Sequence, residues 1–162
     1  MSYPPERYRG EAGEVSAWMR PAGQAPELGQ PGGNQVHYLA TTAQTGGEFG
    51  LYRWDFGPHV SGPDAHFHRT LSESFFILSG TVRLFDGTDW VDATAGDFLY
   101  VPVGGIHGFR NESGEPASML LLFAPGAPRE DYFETLFDAA RREAMTDQER
   151  TEFFLRHDNH WV

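Results

Sequence analysis

Between Gln35 and Ala124 this chain is cut into short apolar pieces by closely spaced turn residues, and that cadence limits what it can fold into. The punctuation is strong: Pro31-Gly32-Gly33-Asn34, Gly57-Pro58, Ser79-Gly80, Asp86-Gly87 and Pro102 to Gly105. Each pair or cluster is a turn former for a stated reason, either a fixed φ at Pro or a tolerated positive φ at Gly. The pieces between them are Val36 to Thr41, Glu48 to Phe56, His66 to His68, Glu73 to Ser79, Thr81 to Phe85, Trp90 to Thr94, Asp97 to Val101, Ile106 to Asn111 and Ala117 to Ala124. Such lengths suit strands, and several alternate with period two, as Tyr52, Trp54 and Phe56 do. Ser79-Gly80 reads as a hairpin turn between two of them. Many short strands with Gly- and Pro-rich turns predict an all-β sandwich or barrel. One strand is apolar on both faces, with Phe76 and Leu78 opposite Ile77, so its outer face calls for a cover: a second subunit or the C-terminal segment.

The two ends differ from this middle. Residues 1–34 are rich in Gly, Pro and polar groups and read as an N-terminal arm, with Val15 to Arg20 as a short strand or extended piece. After residue 126 the period changes. Arg129 to Arg142 places Tyr132, Phe133, Leu136, Phe137 and Ala140 on one helical face, with Pro128 at the first turn. Thr146 with Glu149 three residues on has the form of a capping box, opening a second helix to about Arg156. The expected organisation is an arm over 1–34, a β-barrel over 35–126 and a tail of two helices over 127–162.

Composition excludes several chemistries. The net charge is −11, which repels phosphate backbones and anionic headgroups, so neither nucleic acid nor membrane is an expected partner. All 12 basic residues are Arg. Without Lys there is no Schiff-base nucleophile and no Walker A loop. Without Cys there is no thiolate ligand or thiol nucleophile, so any tightly held metal must sit on His, Asp and Glu. Met1 to Ala12 is polar and holds no apolar stretch of signal-peptide type, which makes a cytoplasmic location the default expectation.

One constellation carries chemistry. In extended chain, His66 and His68 project to the same side, as two imidazoles sharing one metal ion must. Glu73 follows after the short polar piece Arg69 to Ser72 and opens an apolar strand, where a carboxylate is costly unless paired or metal-bound. Farther on, Gly96 to Val101 runs into the turn Pro102-Val103-Gly104-Gly105, and His107 follows almost at once. Pro102 and the glycines make that turn rigid. His66, His68, Glu73 and His107 are therefore the candidate metal ligands. His37 and His59 read as structural, and His157 and His160 as parts of the tail rather than a second metal site. The aromatic strand Tyr52, Trp54 and Phe56 reads as core before cavity wall.

These residues resemble the two motifs of the cupin superfamily. The first runs through His66, His68, Glu73 and Gly80, with Gly62 closer to His66 than the commonest spacing. The second runs through Gly96, Pro102, Gly104, His107 and Asn111. The resemblance implies a double-stranded β-helix, the jelly-roll barrel of cupins, with a metal inside and a homodimeric assembly. Three imidazoles and one carboxylate suit Fe, Mn, Ni, Co or Zn as a divalent ion. The layout is also similar to small quercetinase-type cupins, through His66, His68 and Glu73, the run Ser79 to Phe85, and a helical tail ending near Arg156-His157-Asp158. That similarity implies a metal-dependent dioxygenase acting on a small oxygen-bearing substrate such as a flavonol-like aromatic, with Glu73 as a general base. Two rival classes fit the same ligand set: a non-redox isomerase, cyclase or lyase, and a small-molecule binder without catalysis.

Overall fold

The computed structural model describes residues 2–162. Ten strands precede the helices: β1 (Leu28–Gly29), β2 (Gln35–Ala40), β3 (Gly50–Phe56), β4 (His66–Phe67), β5 (Ser72–Ser79), β6 (Thr81–Phe85), β7 (Trp90–Thr94), β8 (Phe98–Val101), β9 (Gly108–Arg110) and β10 (Ala117–Ala124). Three helices follow, α1 (Arg129–Phe137), α2 (Ala139–Ala144) and α3 (Asp147–Arg156), and then β11 (His160–Trp161). The strands form a six-stranded sheet ordered β1-β2-β3-β10-β5-β8, a three-stranded sheet ordered β7-β6-β9, and the pair β11-β4.

Alternation fixes which side chains meet between the sheets. β3 and β10 are buried at every second residue, with Tyr52, Trp54 and Phe56 on one and Met119, Leu121 and Phe123 on the other facing inward. The smaller sheet answers with Val82, Leu84 and Phe109. Phe109 ties the two together, its ring centroid 6.2 Å from Trp54 and 5.5 Å from Phe75. Aromatic pairs at such spacings add to the burial of apolar area. This is the expected jelly-roll architecture.

Three local expectations change. Ser79-Gly80 is not a hairpin. β5 pairs with β10 and β8, whereas β6 pairs with β7 and β9, so the chain switches sheets at Gly80. Gly80 has φ +71°, and a Cβ there would lie 2.6 Å from the carbonyl oxygen of Pro116. A corner that tight excludes a side chain. Second, the expected helix over Arg129 to Arg142 is two helices. Asp138 leaves helical geometry (φ −86°, ψ 94°), and its carboxylate accepts a hydrogen bond from the Arg141 N–H to cap α2. The capping box of Thr146 and Glu149 is present at the start of α3. Third, Val15 to Arg20 contains no strand; the first strand of the arm is β1, paired with β2.

The tail does not cover the outer face of β5. Phe76 and Leu78 are exposed there, beside Phe98 and Tyr100 on the neighbouring edge strand β8. Instead the helices close one end of the barrel. Phe133 packs on Tyr52 and Trp54, and Phe137 packs on Trp54. No helix among the described residues is long and apolar enough to cross a membrane.

Candidate metal centre

The residues expected to gather do so. His66, His68, Glu73 and His107 each offer one ligand atom, and these atoms lie within 4.8 Å of one another. All four residues are buried, none more than 3% exposed. The local chain explains the placement. His68 stands two positions on from His66, just past the end of β4, and the two ring centroids lie 5.1 Å apart. The backbones of His66 and His107 exchange two hydrogen bonds of 2.9 Å, which sets the two rings side by side with centroids 4.3 Å apart. The turn before His107 is pinned in turn: Gly104 takes φ +80°, its N–H donates to the His68 carbonyl at 2.7 Å, and the Gly105 N–H donates to the Pro102 carbonyl at 2.8 Å. Glu73 sits near the start of β5, held between Phe123 of β10 and Val101 of β8.

Each imidazole is oriented by a backbone carbonyl. The Nδ1 atoms of His66, His68 and His107 donate to the carbonyls of Asp64 (2.9 Å), Asp158 (2.6 Å) and Gly105 (3.0 Å). A carbonyl only accepts, so Nδ1 carries the proton and Nε2 faces the centre. Metal-ligating histidines are commonly oriented in this way. On the Nε2 side, His107 and His68 lie 2.8 and 3.0 Å from Glu73 Oε2; a hydrogen bond there needs a proton on Nε2 as well, and a metal ion would take that proton's place. Burial opposes ionisation of Glu73, but the hydrogen bonds and charge of His107 and His68 outweigh it and hold the carboxyl below its ordinary range. Burial, helped by His107, lowers His66 to about 4. For His107 burial acts downward too, yet the hydrogen bond it donates to the Glu73 carboxylate, with that carboxylate's charge, prevails and raises it. A neutral imidazole at His66 and an ionised carboxylate at Glu73 are the forms a divalent cation binds.

The tail contributes to this centre in a way the sequence did not reveal. Asp158 is the one described non-glycine residue at positive φ (+58°). Its carbonyl orients His68, while its carboxylate accepts from the backbone N–H groups of Arg69 and Thr70 and from the Thr70 hydroxyl. β11 then pairs with β4, setting Trp161 opposite His66. His157 and His160 stay outside the cluster. His160 lies against Phe67 and Asp158, and His157 faces Asp131. His37 bonds Asp55 and Arg53, away from the cluster.

A cavity of about 720 Å³ opens onto His66 and Glu73. Its walls are aromatic and aliphatic, with Trp54, Phe109, Leu121 and Phe123 from the barrel and Phe133 from α1. The inward face of β3 is thus core and cavity wall at once, since Trp54 belongs to both. Arg129, Tyr132 and Asn159 bring polar groups to the same space.

The sequence profile described as a cupin domain matches residues 52–123. The chain carries a cupin domain. The matched stretch spans β3 to β10 and includes all four clustered residues. Solved cupin-fold structures align with it: KdgF from Halomonas sp. (16% identity, TM-score 0.58, 70% of this chain and 97% of that one) and an RmlC-like cupin from Shewanella frigidimarina (21%, 0.57, 70% and 94%). A predicted oxalate decarboxylase from Thermotoga maritima aligns similarly (21%, 0.57, 67% and 99%). At these identities the likeness is one of fold. By sequence, quercetin 2,3-dioxygenase of Bacillus subtilis is 30% identical over 107 residues, covering 65% of this chain. The match spans 31% of that relative's length.

Proposed function

We propose that this cupin is a metal-dependent dioxygenase whose ion is held by His66, His68, Glu73 and His107. The observation that carries the reading is the donor set: three imidazoles with their Nδ1 protons engaged, and one ionised carboxylate, converging at one end of a cavity walled largely by aromatic side chains. Such a set fits Fe, Mn, Ni, Co or Zn as a divalent ion and does not choose among them. When bound, the ion would supply a Lewis acid and an anchor for a substrate oxygen, and a redox-active one would couple the substrate to dioxygen. The similarity to quercetin 2,3-dioxygenase supports the oxidative choice over isomerase, cyclase, lyase or simple binder.

The chain's own residues would do the rest. The aromatic walls would exclude water and hold a flat substrate. Glu73, turned from the ion toward the cavity, would accept the proton of a substrate hydroxyl at its carboxylate oxygen. We assign residues 35–126 the barrel and the site, 127–162 the closing tail and 1–34 an arm, and place the protein in the cytoplasm. We further propose a homodimer formed through the outer face of β5 and β8, where Phe76, Leu78, Phe98 and Tyr100 stand exposed. The test of activity is dioxygen uptake by protein reconstituted separately with Fe(II), Mn(II), Ni(II), Co(II) and Zn(II), against a panel of flavonols, catechols, β-diketones and planar aromatic hydroxy acids. Uptake with at least one pairing, abolished in Glu73→Gln and His66→Ala, is expected. Substrate conversion without dioxygen, retained with Zn(II), would overturn the oxidative reading.

A further inference from the structure

Arg129 is 4% exposed, lines the cavity and pairs with no carboxylate among the described residues. Its Nη1 donates to the His157 carbonyl at 2.7 Å, and Nη1 and Nη2 together hold Asn159 Oδ1 at 3.2 Å. All of these acceptors are neutral. The remaining edge of the guanidinium, formed by Nε–H and the second Nη2–H, meets no acceptor, and Nε is a buried atom without any partner. Burying a cation among neutral groups is costly unless an anion is supplied. Aromatic faces recover part of that cost, since the guanidinium lies 4.2 Å from the Tyr132 centroid and 4.9 Å from that of Phe123. They do not satisfy the N–H groups.

The neighbouring polar groups are donors as well. Trp54 lines the cavity, and its Nε1–H is buried without a partner. Tyr132 accepts from Asn159 Nδ2 at 3.1 Å, and its own O–H donates to no described residue. Burial pushes that phenol up to about 12, so the proton stays on it. Where Arg129, Tyr132 and Trp54 meet the chamber, the spare polar groups are a cation and two donors, a wall matched by a ligand that only accepts; Arg142 adds a second cation to the same lining, and Gln30 and Asn34 add amides. The free edge of an arginine fits the two oxygens of a carboxylate side by side.

We propose that Arg129, with Tyr132 and Trp54, forms a carboxylate-recognition subsite in the cavity, so that the substrate is a planar apolar acid rather than a neutral flavonol. This rests on the cavity being the substrate chamber of the metal centre. Glu73 answers one positive charge; Arg129 and a divalent ion together bring more, and a substrate anion reduces the surplus.

The test uses full-length protein loaded with Zn(II), which needs no dioxygen and no turnover. 2-Naphthoate and its neutral isostere 2-naphthamide are titrated by calorimetry into the wild type, Arg129→Gln, Arg129→Lys and Tyr132→Phe, with bound zinc measured for each. Arg129→Gln is expected to weaken naphthoate about tenfold or more, the range of a hydrogen-bonded charge, while naphthamide moves less than about twofold. Arg129→Lys should fall between, keeping the charge and losing the fork. Tyr132→Phe, which removes one oxygen, should weaken naphthoate severalfold with zinc content unchanged, and it carries the test if Arg129→Gln fails to fold. Equal losses for acid and amide, or no loss of naphthoate in a zinc-loaded variant, would overturn the subsite and leave the metal centre standing. A wild type that takes up no zinc would overturn both.

Discussion

Asp158 joins two roles in one residue: a left-handed turn that brings its carbonyl to His68, and a carboxylate that locks the turn onto the backbone of Arg69 and Thr70. Partners that orient metal-ligating histidines matter nearly as much as the ligands. Asp158→Ala should therefore weaken metal affinity by roughly 10–100-fold while leaving the ion count at saturation unchanged, measured by competition with a chelator of known affinity. An unchanged affinity would mean that His68 needs no help from the tail. The gathering of His66, His68, Glu73 and His107 was legible because it depends on local rules: alternation in extended chain, and a Pro-Gly turn just before His107. Asp158 was not legible because its contribution runs through a backbone carbonyl 90 positions away from His68 in sequence. Arg129 was hidden for a related reason. An arginine at the first position of a helix has no sequence mark of burial, and its surroundings are assembled from β10, α1 and the segment after α3.

At the level of elements, strand positions follow the turn residues closely, and β10 spans Ala117–Ala124 as its apolar run predicts. Pairing was less visible. Ser79-Gly80 has hairpin composition, yet the chain there crosses between sheets, because β5 finds its partners in β10 and β8. Sequence separation of one turn does not tell a hairpin from a barrel corner. Gly80→Ala should accordingly cost more than about 1 kcal/mol, the sum of a positive φ and a close approach to Pro116, read from urea unfolding. The helical tail shows the opposite balance. The capping box at α3 was readable from Thr146 and Glu149, whereas the break at Asp138 lies inside a continuous helical pattern. Loss of the cap in Thr146→Ala should destabilise the tail by about 1 kcal/mol, seen as faster amide exchange across α3 with the barrel strands unaffected.

For the whole molecule, the tail leaves its starting face, caps the barrel through Phe133 and Phe137, and returns as β11 to pair with the strand that carries His66. Closing the barrel this way leaves the apolar face of β5 and β8 open to solvent. A chain mass of 18.1 kDa gives that exposure a direct consequence. Light scattering should report twice the chain mass, and Phe98→Glu, at the exposed edge, should return the protein to the single-chain mass. A wild type that scatters as one chain would remove the dimer. Ligation also links the site to global stability. An ion that binds only the folded chain should raise unfolding free energy by about 4 kcal/mol at a thousandfold excess over its dissociation constant, and a chelator should reverse the gain. The metal centre is tested most directly by the ion count itself, measured by elemental analysis after loading with Zn(II) and gel filtration, for the wild type and for His66→Ala, His68→Ala, Glu73→Gln and His107→Ala. One ion per chain is expected in the wild type, and substoichiometric metal in every variant with far-ultraviolet spectra that stay those of a β protein. Full occupancy in all four variants, or none in the wild type, would contradict that centre.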